Sequence, residues 1–180
     1  NGGFRCPIFL NTFIDRPEIH IELRADPSIG TSYSGLRFLF PDELPSEQPG
    51  QAFEVAKQLP KTMVFFDRKK DQRIALSLCR KWLEDASLEL FETRKVVDIY
   101  YASIREREKA QIRDAFLPLD SEVRVMLVTE AMGMGVEIPG IKLVVQYGAR
   151  EILRDRSSFK TLVQRMGRAA RGRGETGWFI

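Results

Sequence analysis

Residues 62–66 read Thr-Met-Val-Phe-Phe, an uninterrupted apolar run of strand length. Such a run predicts a strand that is buried on both faces of a sheet. Over residues 70–84 the pattern changes, because apolar residues recur at steps of four, at Ile74, Leu78 and Trp82. This spacing predicts a helix directly after the strand, and strand followed by helix is the unit from which parallel sheets are built.

The same alternation continues on both sides of this unit. Strands are predicted around 19–23, 96–101, 123–128, 141–147 and 177–180, and helices at 51–59, at 103–116 and before the last strand. The helix at 103–116 is expected to open with a capping box formed by Ser103 and Glu106. These elements predict an α/β fold, a three-layer and mostly parallel sheet with helices on both faces. Functional loops are then expected at the carboxyl edge of the sheet.

The length of 180 residues is typical of one domain, preceded by a short N-terminal segment at 1–18. We expect the domain to span 19–180, with a proline-rich insertion at about 25–50 in which an apolar turn packs back on the body. No apolar run is long enough to cross a membrane and no signal peptide is visible, and the missing initiator Met suggests an excised fragment. Cys6 and Cys79 make neither a disulfide framework nor a metal set. Cys79 is expected in the core, and His20 is expected on a strand surface.

Charge is concentrated near the end of the chain. The net charge is +3, but residues 150–173 hold eight Arg or Lys against two acids, a local balance of +6. Residues 164–173 read Gln-Arg-Met-Gly-Arg-Ala-Ala-Arg-Gly-Arg. One interpretation is a solvated basic helix end, since Arg suits the negative end of a helix dipole. The other is a set of anion clamps, because a guanidinium group matches two phosphate oxygens at once.

The helix that carries this run has a predicted orientation. Ser157 and Ser158 are expected to cap it. Phe159, Leu162, Val163 and Met166 follow the spacing of one apolar face. On this pattern Gln164, Arg165 and Arg168 lie on the opposite side, with Arg171 three residues later. The sequence therefore predicts arginines held outward in a row by a rigid element.

A second stretch, 129–140, follows the predicted strand at 123–128. Gly133 and Gly135 allow a backbone to approach a ligand closely, Thr129 offers a hydroxyl and an amide to a phosphate, and Glu137 can accept a hydrogen bond from a sugar hydroxyl. The alternative is a glycine-rich turn with a capping acid. No Gly-x-x-x-x-Gly-Lys-Ser/Thr occurs in the chain. Phosphate-facing arginines without a phosphate cradle indicate a nucleotide that is held by another domain.

Several segments together resemble the second, C-terminal RecA-like domain of superfamily 2 helicases, most closely the RecQ-like branch. The resemblance covers about residues 13–180. Residues 13–17 resemble the family's segment that leads into this domain, and 63–67 resemble motif IV. Residues 100–104 resemble its Tyr-His-Ala-Gly-Leu segment, 129–139 resemble motif V, and 164–171 resemble motif VI.

The resemblance implies a C-terminal lobe of an ATP-dependent DNA helicase that unwinds in the 3'–5' direction. It implies that Arg168 and Arg171 are catalytic arginine fingers. It places ATP near Gly135, Glu137, Gln164 and Arg165, and places nucleic acid near Thr129, Lys69 and Gly133. ATP and Mg²⁺ would be held mainly by an N-terminal RecA-like lobe of the same protein, so that this chain alone is not an ATPase. Single-stranded or unwinding duplex nucleic acid, DNA more than RNA, is the implied partner, in an intracellular, nuclear location without a membrane.

The chain departs from the RecQ-like pattern at six positions. Ala170 replaces a glycine, Arg165 replaces an acid, Asp67-Arg68-Lys69 replaces Asn-Ser-Arg, and Tyr101 replaces His. The alternative functions are a stand-alone nucleic-acid-binding module derived from a helicase lobe and a lobe of an RNA helicase. A small-nucleotide enzyme is disfavoured by the missing phosphate loop. Upstream coding sequence with a P-loop would separate a helicase from a stand-alone module.

Overall fold

The computed structural model describes residues 16–24, 32–45, 48, 50–129, 137–148, 156–171 and 174–180, and six parallel strands within them form one sheet. The strands are β1 (Ile19–Ile21), β2 (Thr62–Phe66), β3 (Val97–Tyr100), β4 (Val125–Val128), β5 (Leu143–Tyr147) and β6 (Gly177–Phe179). Their order across the sheet is β1-β6-β5-β2-β4-β3. The predicted parallel sheet is therefore confirmed, with the apolar run at 62–66 near its centre.

Helices cover both faces of the sheet. A 3-10 helix (Ser34–Leu39) precedes α1 (Gln51–Ala56), α2 (Lys69–Asp85), α3 (Leu90–Val96), α4 (Glu106–Phe116) and α5 (Arg156–Met166). Val64 and Phe66 of β2 pack into a core formed with the 3-10 helix and α1 to α3. Met63 and Phe65, which point the other way, pack against α4 and α5. The alternation of side chains along one strand thus supplies two separate cores, and the predicted three layers are confirmed.

Two strands flank β2 in register. Met63 pairs with Met126 of β4 on one side and with Val144 of β5 on the other. All five residues of β2 are buried, as the uninterrupted apolar run predicts. Because every pair is parallel, the carboxyl ends of β2, β3, β4 and β5 meet at one edge of the sheet.

An aromatic contact anchors the segment 32–45 to the sheet. The rings of Tyr33 and Tyr147 are stacked with centroids 5.5 Å apart, and the Tyr33 hydroxyl donates to Asp71 at 2.7 Å. Burial, with Asp71 acting in the same direction, raises the pKa of Tyr33 to about 12. Leu36 of the 3-10 helix is fully buried. The prediction of an apolar turn that packs back on the body is confirmed.

Some local expectations are wrong. The capping box at Ser103 does not form, because α4 begins at Glu106 with Arg105 as an N-cap that makes no side-chain capping bond. Ser103 instead accepts a hydrogen bond from Lys69. Helix α5 begins at Arg156, so Ser157 and Ser158 lie within its first turn rather than before it. Leu23 lies outside β1 and is 90% exposed.

Helix α3 was not among the predicted elements. It spans only Leu90–Val96 and opens with a capping box formed by Glu89 and Glu92.

Two predictions for single residues are confirmed. Cys79 is fully buried, and this burial raises the pKa of its thiol to about 12, while His20 is exposed, with its ring 4.8 Å from that of Trp178. Among the described residues, no helix has the length and apolar character needed to cross a membrane.

Lys61 is buried at the amino end of β2, with 1% of its surface exposed. Its Nζ donates to the carbonyl oxygens of Leu117 at 3.1 Å, Pro118 at 2.9 Å and Pro139 at 3.1 Å. The same Nζ lies 4.7 Å from the centroid of the Phe116 ring. One ammonium group therefore joins the end of α4 to the loop that precedes β5, and these three hydrogen bonds compensate for its removal from water.

The ionisation of Lys61 makes the stability of the chain depend on pH. Burial lowers the pKa of Lys61 to about 8, from 10.5 for an ordinary lysine, and Arg124 acts in the same direction. Between these two values the unfolded chain keeps a proton that the folded chain has released. The contribution of Lys61 to the free energy of unfolding therefore rises with pH in this window. Above the unfolded pKa it is constant again.

We expect the Lys61→Met variant to lack this pH-dependent contribution to the free energy of unfolding. Urea unfolding of the parent and the variant, at about pH 7.5 and about pH 9.5, should show the parent gaining stability relative to Lys61→Met as the pH rises. The comparison cancels the groups that titrate alike in both proteins. An identical pH dependence for the two proteins would contradict the assignment.

Candidate functional site

The carboxyl edge of the sheet brings two predicted site residues, Lys69 after β2 and Thr129 after β4, close together. Asp67 after β2 and Tyr101 after β3, which were not predicted as site residues, lie at the same edge. The Thr129 amide donates to the Tyr100 carbonyl at 3.2 Å, which fixes the end of β4 beside the end of β3. The predicted residues Gly133 and Gly135 lie outside the described residues. Glu137 is exposed and adjoins the fully buried Ile138.

A cationic and aromatic group occupies one part of this edge. Lys69 Nζ donates to Ser103 Oγ at 2.6 Å and lies 4.0 Å from the centroid of the Tyr101 ring. Arg73, one turn along α2, places its Cζ 5.8 Å from the same centroid. An aromatic face with two cations beside it can accept a base by stacking and a phosphate by charge. Tyr101 and Ser103 were not predicted as site residues, although their positions after a predicted strand could have indicated them.

Arg165 does not point outward as predicted. It is 6% exposed, and its guanidinium carbon lies 5.1 Å from the centroid of the Phe65 ring. Arg165 Nη1 donates to Gln146 Oε1 and to Asp67 Oδ1, the latter at 3.3 Å. The stripe of α5 that faces the sheet is therefore centred on Leu162, Met166 and Arg165.

The predicted apolar face of α5 is correspondingly rotated. Phe159, expected on the inner side, is 42% exposed, whereas Gln164 is exposed as expected. The polar ends of β2 and β5 supply partners for a guanidinium group, so Arg165 takes a buried place that periodicity assigns to an apolar residue. Burial of Arg165 also rules out a simple solvated basic helix end.

Arg168 and Arg171 flank the turn that follows α5. Arg168 is 8% exposed, so the prediction that it is held outward is wrong as well. Burial lowers the pKa of Arg168, and the charge of Arg171 lowers it further. Arg171 Nε donates to the Gly167 carbonyl at 2.8 Å. Two guanidinium groups that repel each other across a short turn gain from an anion placed between them.

Arg16 holds this turn from outside. Its Nη2 donates to the Ala169 carbonyl at 3.3 Å and to the Ala170 carbonyl at 3.0 Å. Ala170 has a φ of +52°, in the left-handed region. The backbone between the two arginines is thus fixed by a distant side chain while one residue is strained. Sequence patterns did not indicate this contact, because Arg16 is 153 residues from Ala169.

The strain at Ala170 predicts an unequal response of two neighbouring alanines. Ala170→Gly removes a conformational cost of about 1–2 kcal/mol, which offsets the loss of one buried methyl group. Ala169→Gly has no such gain, because Ala169 is fully buried without a positive φ, and it should lower stability by about 1 kcal/mol. We expect Ala170→Gly to melt at or above the parent temperature and Ala169→Gly to melt below it. Equal losses in both variants would contradict the role of strain.

The chain is similar in sequence to known helicases. The model of the family described as "Helicase conserved C-terminal domain" matches residues 51–173. The human ATP-dependent DNA helicase Q4 is 27% identical over 118 residues, which are 64% of this chain and 9% of that protein. The chain thus spans a small part of the length of this relative.

Solved structures share the fold at low identity. A DUF1998 helicase, MrfA, bound to DNA and AMPPNP, has a TM-score of 0.57 at 17% identity, over 89% of this chain and 19% of that chain. Helicase Lhr of Mycobacterium smegmatis, bound to ssDNA and AMP-PNP, has a TM-score of 0.53 at 16% identity, over 79% and 18%. S. cerevisiae Dbp5, bound to RNA and ADP BeF3, has a TM-score of 0.50 at 20% identity, over 77% and 33%. The sheet is therefore that of a RecA-like domain.

Proposed function

The chain belongs to the helicase conserved C-terminal domain family, and we propose that it is the C-terminal lobe of an ATP-dependent, RecQ-like DNA helicase. One observation carries the proposal: Arg168 and Arg171 flank a single turn that Arg16 and the sheet hold in place. A fixed pair of guanidinium groups can stabilise charge that develops on a transferring phosphoryl group. The same lobe presents Lys69, Tyr101 and Thr129 at the carboxyl edge of its sheet.

In this proposal the nucleotide binds between two lobes. Arg168 and Arg171 act as arginine fingers, Gly135, Glu137, Gln164 and Arg165 line the nucleotide side, and Thr129, Lys69 and Gly133 contact the nucleic acid. The N-terminal lobe holds most of the ATP. In this proposal the N-terminal lobe also holds Mg²⁺.

A specific class of nucleic acid is also part of the proposal. The human relative is named a DNA helicase, which favours DNA and the RecQ-like branch. Relatives of the same fold are bound to DNA in two cases and to RNA in another, so the fold does not favour either. A lobe of an RNA helicase is therefore the second candidate. Unwinding in the 3'–5' direction and a nuclear location complete the proposal, and the location can be checked by imaging a tagged full-length protein.

Binding of single-stranded nucleic acid by the isolated chain should depend on the negative charge of the nucleic-acid backbone. We expect weak binding of single strands with little sequence preference, and an affinity that falls steeply with salt as counterions are released. Lys69→Ala should weaken binding and reduce the salt slope by about 1, because it removes one phosphate contact. Fluorescence anisotropy with labelled DNA and RNA strands of equal sequence measures both quantities.

Lys81→Ala provides the matched control, since it removes one exposed lysine from α2 away from the candidate edge. A salt-independent affinity would contradict an electrostatic strand track. Equal losses in Lys69→Ala and Lys81→Ala would contradict the assignment to this edge. Tighter binding of RNA than DNA would favour the second candidate.

Arg168→Ala and Arg171→Ala should reduce ATP turnover in the full-length protein by about 10³- to 10⁵-fold. The loss is expected mainly in kcat, because an arginine finger acts on charge that develops in the transition state. Strand affinity should change little. Steady-state ATP hydrolysis, strand titration and a melting curve for each variant separate chemistry from binding and folding.

Arg113→Ala is the control for charge removal, because Arg113 is a half-buried arginine on α4 whose ion pair is with its neighbour Asp114. The isolated chain should show no turnover, since phosphoryl transfer needs the nucleotide and the metal to be positioned by the other lobe. Near-normal turnover in both finger variants would mean that these arginines serve another purpose.

A further inference from the structure

The carboxyl edge contains a partly buried ionic network, which lies between the segments that carry Lys69 and Tyr101 and the turn that carries Arg168 and Arg171. Arg165 Nη1 lies 3.3 Å from Asp67 Oδ1 and also donates to Gln146 Oε1. Gln146 Nε2 in turn donates to Asp67 Oδ1 at 3.4 Å. The side chains of Arg165 and Asp67 are 7% and 19% exposed. Three separate elements, the end of β2, strand β5 and helix α5, thus meet in one closed triangle.

Burial makes this network sensitive to the loss of any member. A guanidinium group over the ring of Phe65 has little access to water, so its charge depends on Asp67 for compensation. Arg165 Nε is buried and lacks a hydrogen-bond partner among the described residues. Removal of one partner from such a group costs far more than loss of an exposed ion pair. The positions of β2 and α5 are therefore linked energetically at this point.

Each end of the ion pair adjoins one candidate site. Asp67 lies two residues before Lys69, the first residue of α2, whose ammonium group contacts Tyr101 and Ser103. On the other side, the Arg165 carbonyl accepts a hydrogen bond from the Arg168 amide at 3.0 Å. A shift of the loop between β2 and α2, which contacts nucleic acid in the proposed function, would consequently displace the turn that carries Arg168 and Arg171.

We propose that the Asp67–Arg165 ion pair, completed by Gln146, couples nucleic-acid binding near Lys69 and Tyr101 to the turn that carries Arg168 and Arg171. This proposal rests on the proposed function. In this coupling Asp67 is a positioning residue that does not need to touch the nucleic acid. Arg165 lines the nucleotide side in the proposed function, and it acts on the nucleic-acid side only through Asp67.

The test uses the full-length protein and looks for effects that cross from one site to the other. Asp67→Asn changes the side of the network that adjoins the nucleic-acid contacts. It should lower kcat for ATP hydrolysis about tenfold when single-stranded nucleic acid and ATP are both saturating, and this factor lies within the usual range of coupling between sites. Arg165→Met, on the arginine side, should raise the strand Kd without nucleotide by a similar factor. The double variant should be no worse than the worse single variant, because one interaction is lost in all three.

A second ion pair, at the opposite edge of the sheet, provides control variants for the change in charge alone. Lys95 and Glu122 lie 3.9 Å apart, and Lys95→Gln and Glu122→Gln make the same charge changes as Arg165→Met and Asp67→Asn. Cross-effects in the first pair but not in the second would support the coupling. Asp67→Asn keeps an oxygen that accepts from Arg165, so it remains informative if Arg165→Met melts below the assay temperature.

Four outcomes would overturn the coupling. If the variants only lower the melting temperature, or match the Lys95 and Glu122 controls, the network is purely structural while the proposed function stands. Additive losses in the double variant would lead to the same conclusion. A parent protein without strand-stimulated ATP turnover would overturn the proposed function and the coupling together.

Discussion

The pairing of β2 with two parallel neighbours is the constraint on which the site depends. All five residues of β2 are buried, and β4 and β5 run beside it in the same direction. The strands therefore end together, and the residues that follow them are brought to one edge although they are up to about 80 positions apart. Asp67 and Gln146 meet there for this reason, and their polar groups create the place that Arg165 occupies.

Sequence patterns were sufficient where burial follows local periodicity. The run at 62–66 predicted a central strand, and the step of four in the next segment predicted α2 to within a residue or two. Cys79 lies in the core as its helical spacing indicated. These predictions succeed because the hydrophobic effect acts on each segment in the same way, whatever lies across the sheet.

The patterns failed where a distant polar partner decides the outcome. Arg165 is buried because Phe65, Asp67 and Gln146 surround it, and none of them is near it in sequence. Ser103 bonds to Lys69 instead of capping α4 for a similar reason. The contact of Arg16 with the turn at Ala169 and Ala170 has no local signal at all. Tertiary hydrogen bonds override propensity at these positions, and they cluster at the candidate site.

The roles of Arg168 and Arg171 are the central claim. The most direct test is a structure of the full-length protein with a single strand, ADP and beryllium fluoride, which stands in for the transferring phosphoryl group. We expect the guanidinium nitrogens of one or both arginines to lie within about 3.2 Å of fluoride, as in a charge-assisted hydrogen bond. Guanidinium groups that contact only protein or the strand, with no approach to the fluoride, would contradict it.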